Sequence, residues 1–334
     1  MNLITFAALF FAGFLLTILA TGTLLPWLRR RAMFDQPNER SSHVTPTLHG
    51  GGLALTTVVI LLLALLWLNP FDWRVGANIS NNPYMLIATA FLAFISWLDD
   101  VKSVSQINRL IVHFIAVAAI LIAEPNQGLF LQGLVPLWLD RIIAGILWVW
   151  FINLFNFMDG IDGISGVETA SIGMGVVVLA SMLGWEPLGQ TYALVLTGAG
   201  IGFLWWNWHP AKVFLGDVGS VPLGFLLGWL LLNLAAEGYW VQSLILPFYY
   251  LADATLTLVR RLTIGEKVWE AHREHYYQQA VRKGFSHAKV VSSIAVTNAF
   301  LIVFSVISLW APATGLVGAA TVVFALLLFF KYPK

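Results

Sequence analysis

Four short stretches hold most of the residues that could do chemistry in this chain. Between Asn153 and Gly163, two amides (Asn153, Asn156) and two carboxylates (Asp159, Asp162) close a strongly apolar segment. On a helix, Asn153, Asn156 and Asp159 are spaced i, i+3 and share a face, and Gly160 and Gly163 let the backbone leave helical geometry. Capping uses one such residue per helix end, so four within ten positions predict a ring of oxygen ligands. Asp99 and Asp100 form an adjacent pair. Two neighbouring carboxylates repel, and they stay ionised more easily beside a cation or a metal-bound phosphate. Asp217, between Gly216 and Gly219, falls where a loop enters a helix, which suits a hard cation and leaves a helix N-terminus for an anion. Asn207 and Lys212 lie just before it.

The remaining two stretches are basic. His272 and His275 are spaced i, i+3 around Arg273, positioned to contact phosphate or to move protons; two histidines with no thiol nearby argue against a dedicated zinc site there. Arg40, His43 and His49, in a loop running to Gly50, Gly51 and Gly52, can bind phosphate oxygens, and the three glycines permit close backbone approach to a ligand.

These residues must be held by membrane-spanning elements. The chain has 334 residues, 59% of them hydrophobic and 10% charged, with a mean hydropathy of +0.80, whereas soluble domains are about half apolar and a quarter charged. Apolar runs predict an all-α polytopic helical bundle of about eleven spans, at 3–28, 50–68, 84–98, 107–123, 139–157, 166–183, 190–208, 219–235, 240–259, 288–310 and 314–331. Segment 128–138 is too short to cross. The first run precedes Arg29, Arg30 and Arg31, so it reads as a retained span with the N-terminus outside.

Alternating from there places sixteen of the eighteen Lys and Arg residues on the cytoplasmic side, with only Arg74 and Arg141 opposite. That bias satisfies the positive-inside rule. One polytopic domain, 1–334, is expected, with cytoplasmic loops 29–49, 99–106, 158–165, 209–218 and 260–287 forming the active site. A short amphipathic helix is expected around 265–275. The net charge of +1 offers no basic tail for nucleic acid, and the absence of cysteine excludes disulfides and thiolate metal sites.

Taken together and in this order, the motifs resemble those of the polyprenyl-phosphate N-acetylhexosamine-1-phosphate transferases. The stretches around Arg40 and His275 look more like the O-antigen-type initiators than the lipid I enzyme, which carries three consecutive histidines. The resemblance implies transfer of a sugar 1-phosphate from a UDP-N-acetyl sugar to undecaprenyl phosphate with release of UMP, requiring Mg²⁺ or Mn²⁺. It also implies a homodimer in the bacterial inner membrane, with the site on the cytoplasmic face. It assigns Asp217, with Asp100, to the metal and places Asp99 and Asp100 beside the lipid phosphate. Asn156, Asp159 and Asp162 would line the nucleotide and metal region, Asn207 the diphosphate, and His272 and His275 a phosphate. Asn153, Arg40, His43, Lys212 and Arg273 complete the expected substrate contacts. An ion-coupled secondary transporter is the rival, since intramembrane acids and broken helices also describe carriers.

Overall fold

The computed structural model describes residues 3–37, 45–68, 83–102, 104–123, 128–184, 187–266 and 273–332. Its order is α1 (Leu3–Arg30), β1 (Phe34–Asp35), β2 (Thr47–Leu48), α2 (Gly52–Leu68), α3 (Pro83–Lys102), α4 (Gln106–Ala123), α5 (Leu137–Met158), α6 (Ile164–Leu183) and α7 (Pro187–Asn207). Then follow α8 (Asp217–Ala236), α9 (Trp240–Ile245), α10 (Phe248–Thr263), α11 (Tyr276–Arg282), α12 (His287–Ile307) and α13 (Pro312–Lys331). Eight of these helices are long and apolar enough to cross a bilayer. The protein is a polytopic helical membrane protein.

Helix α8 forms the centre. In its most apolar stretch 89% of residues are buried, against 17% for α1 at the periphery, and it packs against α5, α3 and α2. The α5–α8 contact is fixed by Trp148, whose ring stacks on Phe225 at 4.8 Å while its indole N–H donates to the Phe225 carbonyl at 2.8 Å. On the other side α7 is clasped between α1 and α6. Gly198 and Gly202 let α7 approach the α1 backbone at Phe10 and Phe14, and Gly200 faces Thr169 of α6. Lipid tails give no hydrophobic reward for helix association, so such small-residue contacts carry it.

Two expectations are corrected. The ninth span, 240–259, is broken into α9 and α10 around Leu246 and Pro247, because proline supplies no N–H to continue the ladder. Asp99 and Asp100 lie in the last turn of α3 rather than in a loop. The amphipathic helix expected around 265–275 falls mostly outside the described residues; a further short helix, α11, follows it, with His275 as its N-cap.

The three glycines before α2 are used for packing. A two-residue ribbon pairs Phe34 with Leu48 and Asp35 with Thr47, and Leu48 bridges to Val213. The Gly51 and Gly52 N–H groups donate to the Phe214 and Leu215 carbonyls at 2.8 Å. A Cβ at Gly52 would be driven into the Gly219 backbone. Close approach here is thus between α2 and the start of α8, not to a ligand. Gly52→Ala is expected to lower stability by about 1–3 kcal/mol through overpacking against immovable backbone, read as the thermal midpoint in detergent; an unchanged midpoint would sink this account.

Candidate functional site

The C-terminal ends of α3, α5 and α7 meet the N-terminal ends of α4, α6 and α8 at one end of the bundle, where the acids converge. Helix α8 begins at Asp217 after Gly216, whose φ of +74° places it in the left-handed region. Asp100 reaches across from α3 and accepts the N–H groups of Asp217 and Val218, both at 3.1 Å. A carboxylate thus caps α8 from a neighbouring helix, meeting its unpaired N–H groups and the positive end of its dipole. Gly216 is required twice over: a side chain there would meet Asp100 Oδ2 and His49 Nε2, both at 2.9 Å.

Asp217 itself is held by side chains from two other helices. Its Oδ2 accepts from Arg109 Nη1 at 2.7 Å, and the same nitrogen donates to Asp99 Oδ2 at 2.8 Å. Its Oδ1 accepts from Asn156 Nδ2 at 2.9 Å, which also lies 2.9 Å from Ser220 Oγ. One guanidinium therefore spans two carboxylates and offsets their repulsion. Arg109 was counted in the sequence only toward charge bias; its i+10 spacing from Asp99 matters because α3 and α4 form a hairpin.

His49 Nε2 lies 3.1 Å from Asp100 Oδ1. Burial alone would lower the imidazole, but the bond to Asp100 and the charges of Asp100, Asp35 and Asp217 raise it above its ordinary value. A cleft of about 430 Å³ opens here, lined by Met33, Phe34, Asp35, His49, Asp100 and Val101. Asp159, just past α5, receives the Ser165 hydroxyl at 2.7 Å. Burial pushes its carboxyl up to about 7 despite that bond, and Asp217 and Asp100 add to the rise. A carboxyl titrating near neutrality can exchange a proton with a phosphate.

Asp162 belongs to a second cluster. Its Oδ2 lies 2.6 Å from His209 Nδ1 and accepts the Ala211 N–H at 3.2 Å; its Oδ1 lies 3.2 Å from His287 Nδ1. Burial opposes its charge, yet the bonds to His287 and His209, the His287 charge and the Ala211 bond hold the carboxyl below its usual value.

Other expected residues are placed elsewhere. Asn207 is buried and spent on backbone, accepting from Gly163 N–H and donating to the Val213 carbonyl, both at 2.9 Å. It ties two loops together and does not present its amide to the acids. Asn153 donates to the Val149 carbonyl at 2.7 Å, one turn back along α5. Lys212 is exposed, its ammonium 4.9 Å over the Trp206 ring. Arg273 lines a separate polar cleft with Arg260, Glu274, Arg282 and Lys283. His275 is buried, with Nδ1 3.2 Å from Asp253 Oδ1, and caps α11; helix initiation, not phosphate, occupies it. Arg40, His43 and His272 lie outside the described residues.

Around Asp217 stand the carboxylates of Asp99 and Asp100 and the Ser220 hydroxyl, with the Asn156 amide turning its N–H₂ to the Asp217 carboxylate. That set fits a hard cation such as Mg²⁺, with Asp217 and Asp100 as the residues that would hold it. The acids of these motifs sit at helix ends on one side, whereas a carrier would keep them near the bilayer midplane in matched halves.

Residues 82–235 match the model of the glycosyl transferase family 4. The chain is 27% identical over 308 residues to a decaprenyl-phosphate N-acetylglucosaminephosphotransferase of Mycobacterium leprae (strain TN), covering 83% of this chain and 77% of the relative. It is 24% identical over 337 residues to a probable undecaprenyl-phosphate N-acetylglucosaminyl 1-phosphate transferase of Bacillus subtilis (strain 168), covering 96% and 89%. It is 25% identical over 330 residues to a phospho-N-acetylmuramoyl-pentapeptide-transferase of Staphylococcus carnosus (strain TM300), covering 89% and 96%. The matched segment runs from the start of α3 to the end of α8 and so includes Asp99, Asp100, Arg109, Asn156, Asp159 and Asp217; over it the chain is similar to glycosyl transferase family 4, and the protein is a membrane-embedded transferase.

Proposed function

We propose that this protein transfers an N-acetylhexosamine 1-phosphate from a UDP-sugar to undecaprenyl phosphate, and that the product starts O-antigen or another cell-envelope polysaccharide. The observation that carries this reading is the convergence of Asp99, Asp100, Asp159 and Asp217 with Arg109 at one end of the helical bundle. Two anionic substrates can meet only where positive charge offsets their repulsion and where oxygen ligands can hold a cation.

An oxygen of the lipid phosphate attacks the β-phosphorus of the nucleotide sugar, and the bond from that phosphorus to the oxygen bridging it to the α-phosphate breaks, releasing UMP. A direct displacement is the simpler course, since the lipid phosphate is already an ionised nucleophile. Asp217 and Asp100 would hold a Mg²⁺ ion, which would neutralise diphosphate charge when bound. Arg109 sets the spacing of Asp99 and Asp217. Asp100 holds the α8 N-terminus by accepting its first two N–H groups, which fixes where Asp217 stands. His49 lines the cleft beside Asp100, with its imidazole raised above its ordinary value.

The distribution of Lys and Arg supports placing this end of the bundle in the cytoplasm of a bacterial inner membrane, with the N-terminus outside. The family resemblance supports a homodimer. The test incubates the purified protein with Mg²⁺, undecaprenyl phosphate and a panel of UDP-N-acetyl sugars while UMP is measured. UMP is expected with at least one sugar, stopped by EDTA and restored by Mg²⁺. No UMP from any sugar, or full turnover in EDTA, would overturn the reading.

A further inference from the structure

The cluster around Asp162 has different chemistry from the oxygen-rich site. Its three members come from separate parts of the chain: the turn between α5 and α6, the loop after α7, and the first residue of α12. Both imidazoles turn the same atom, Nδ1, toward the one carboxylate, each against a different oxygen. The ligand atoms of all three residues lie within 4.8 Å of one another. The rings do not stack: their centroids are 5.0 Å apart and their planes are inclined by 51°, so they fan around the carboxylate.

His287 Nδ1 lies 3.2 Å from Asp162 Oδ1 and 3.4 Å from the Asp162 backbone N, so this ring meets the carboxylate and its main chain together.

We propose that Asp162, His209 and His287 bind a borderline transition-metal cation of the zinc type, separate from the Mg²⁺ site. Two imidazoles and one carboxylate are a donor set that zinc prefers, and three protein ligands leave the fourth tetrahedral position open. Asp162 and His287 are 6% and 8% exposed at their side chains, so two ligands sit on a closed wall, while His209 at 38% gives the ion a way in from solvent. The Ala211 N–H on Asp162 Oδ2 orients the carboxylate, as metal-binding carboxylates are usually oriented by an outer partner. Ser286 accepts the Lys289 N–H at 3.2 Å and fixes the first turn of α12, setting His287 in place. A bound ion would clamp α12 to the two loops that flank the acids. By contrast, the set around Asp217 has only oxygen donors and one guanidinium, which disfavours the same ion there.

The experiment uses the full chain in detergent, stripped with a chelator and held in excess Mg²⁺ so that the oxygen-donor site is satisfied. Zn²⁺ is titrated calorimetrically, Co²⁺ serves as an optical probe of coordination, and the thermal midpoint is followed in parallel. One Zn²⁺ per chain is expected, with the strong visible absorption of tetrahedral Co²⁺ and a rise in the midpoint. His209→Ala and the His209→Ala/His287→Ala double variant are expected to weaken binding by about tenfold or more and to lose the Co²⁺ spectrum. His209 is partly exposed, so its single variant keeps the test open if the double variant does not fold. No stoichiometric Zn²⁺ in the wild-type protein, or binding unchanged by His209→Ala, would overturn the proposal and leave an imidazole–carboxylate hydrogen-bond cluster. Neither readout depends on UMP release, so either outcome leaves the transferase reading to its own assay.

Discussion

Asp217→Asn is expected to abolish UMP release, by about 10³-fold or more, while the protein still inserts and elutes as the wild type does. The substitution keeps the shape of the side chain and an oxygen to accept from Asn156, and the α8 cap is made by Asp100 and not by Asp217. What is lost is one full negative charge at the point where Arg109 and the cation meet. Metal-assisted charge stabilisation contributes several kcal/mol to such reactions, and each 1.36 kcal/mol is a factor of ten in rate. Arg109 retains Asp99 as a partner at 2.8 Å, so a general collapse of the end of α4 is not expected. Wild-type turnover in this variant would remove Asp217 from the metal and with it the centre of the proposed site.

Asp253→Ala is expected to have the largest effect on stability, about 3–5 kcal/mol, the cost typical of removing one partner from a buried charged network. Asp253 is fully buried in α10 and ties that helix to the start of α11. Its oxygens accept the Tyr249 hydroxyl at 3.0 Å, the Thr257 hydroxyl at 3.3 Å, and the Tyr276 and Tyr277 N–H groups at 2.9 and 3.3 Å, and His275 Nδ1 lies 3.2 Å away. Alanine would leave these donors without an acceptor where water does not reach. A fall of roughly 6–20 °C in the thermal midpoint should follow; a midpoint within about 2 °C of wild type would contradict the role assigned here.

Activity should fall with it, although Asp253 touches no acid of the site. The Tyr277 hydroxyl donates to the Phe157 carbonyl at 3.4 Å, and Gly160 leaves no room for a Cβ beside that hydroxyl. Helix α11 therefore braces the turn that carries Asp159. Asp253→Asn, which keeps one acceptor oxygen and the volume, should be milder in both measurements.

The amino-acid sequence by itself determined that the chain lies in a membrane, because its long apolar runs read as spanning helices, and hydropathy is a local property. It also determined which stretches matter: Asp99, Asp100, Asn156, Asp159 and Asp217 stand out as acids and amides ending apolar helices, and the structure brings all five to one end. It could not rank residues whose roles depend on a distant partner. Asn207 and His275 looked like ligand contacts, yet each meets a buried backbone or carboxylate group across a loop. Arg109 looked ordinary, yet it lies against two acids that helix pairing delivers.

Only the tertiary structure decided that Asp162 turns away from the other acids toward His209 and His287, 47 and 125 residues further along the chain. Pro247 as a helix break and Asp253 as a hub were likewise beyond a reading by apolar runs, which averages over single residues. Local pattern fixes which segments enter the bilayer, because the lipid rewards each helix separately. Which polar atoms then face one another depends on how the helices pack, and that is decided by small-residue contacts and by buried hydrogen bonds whose two halves lie far apart in the chain.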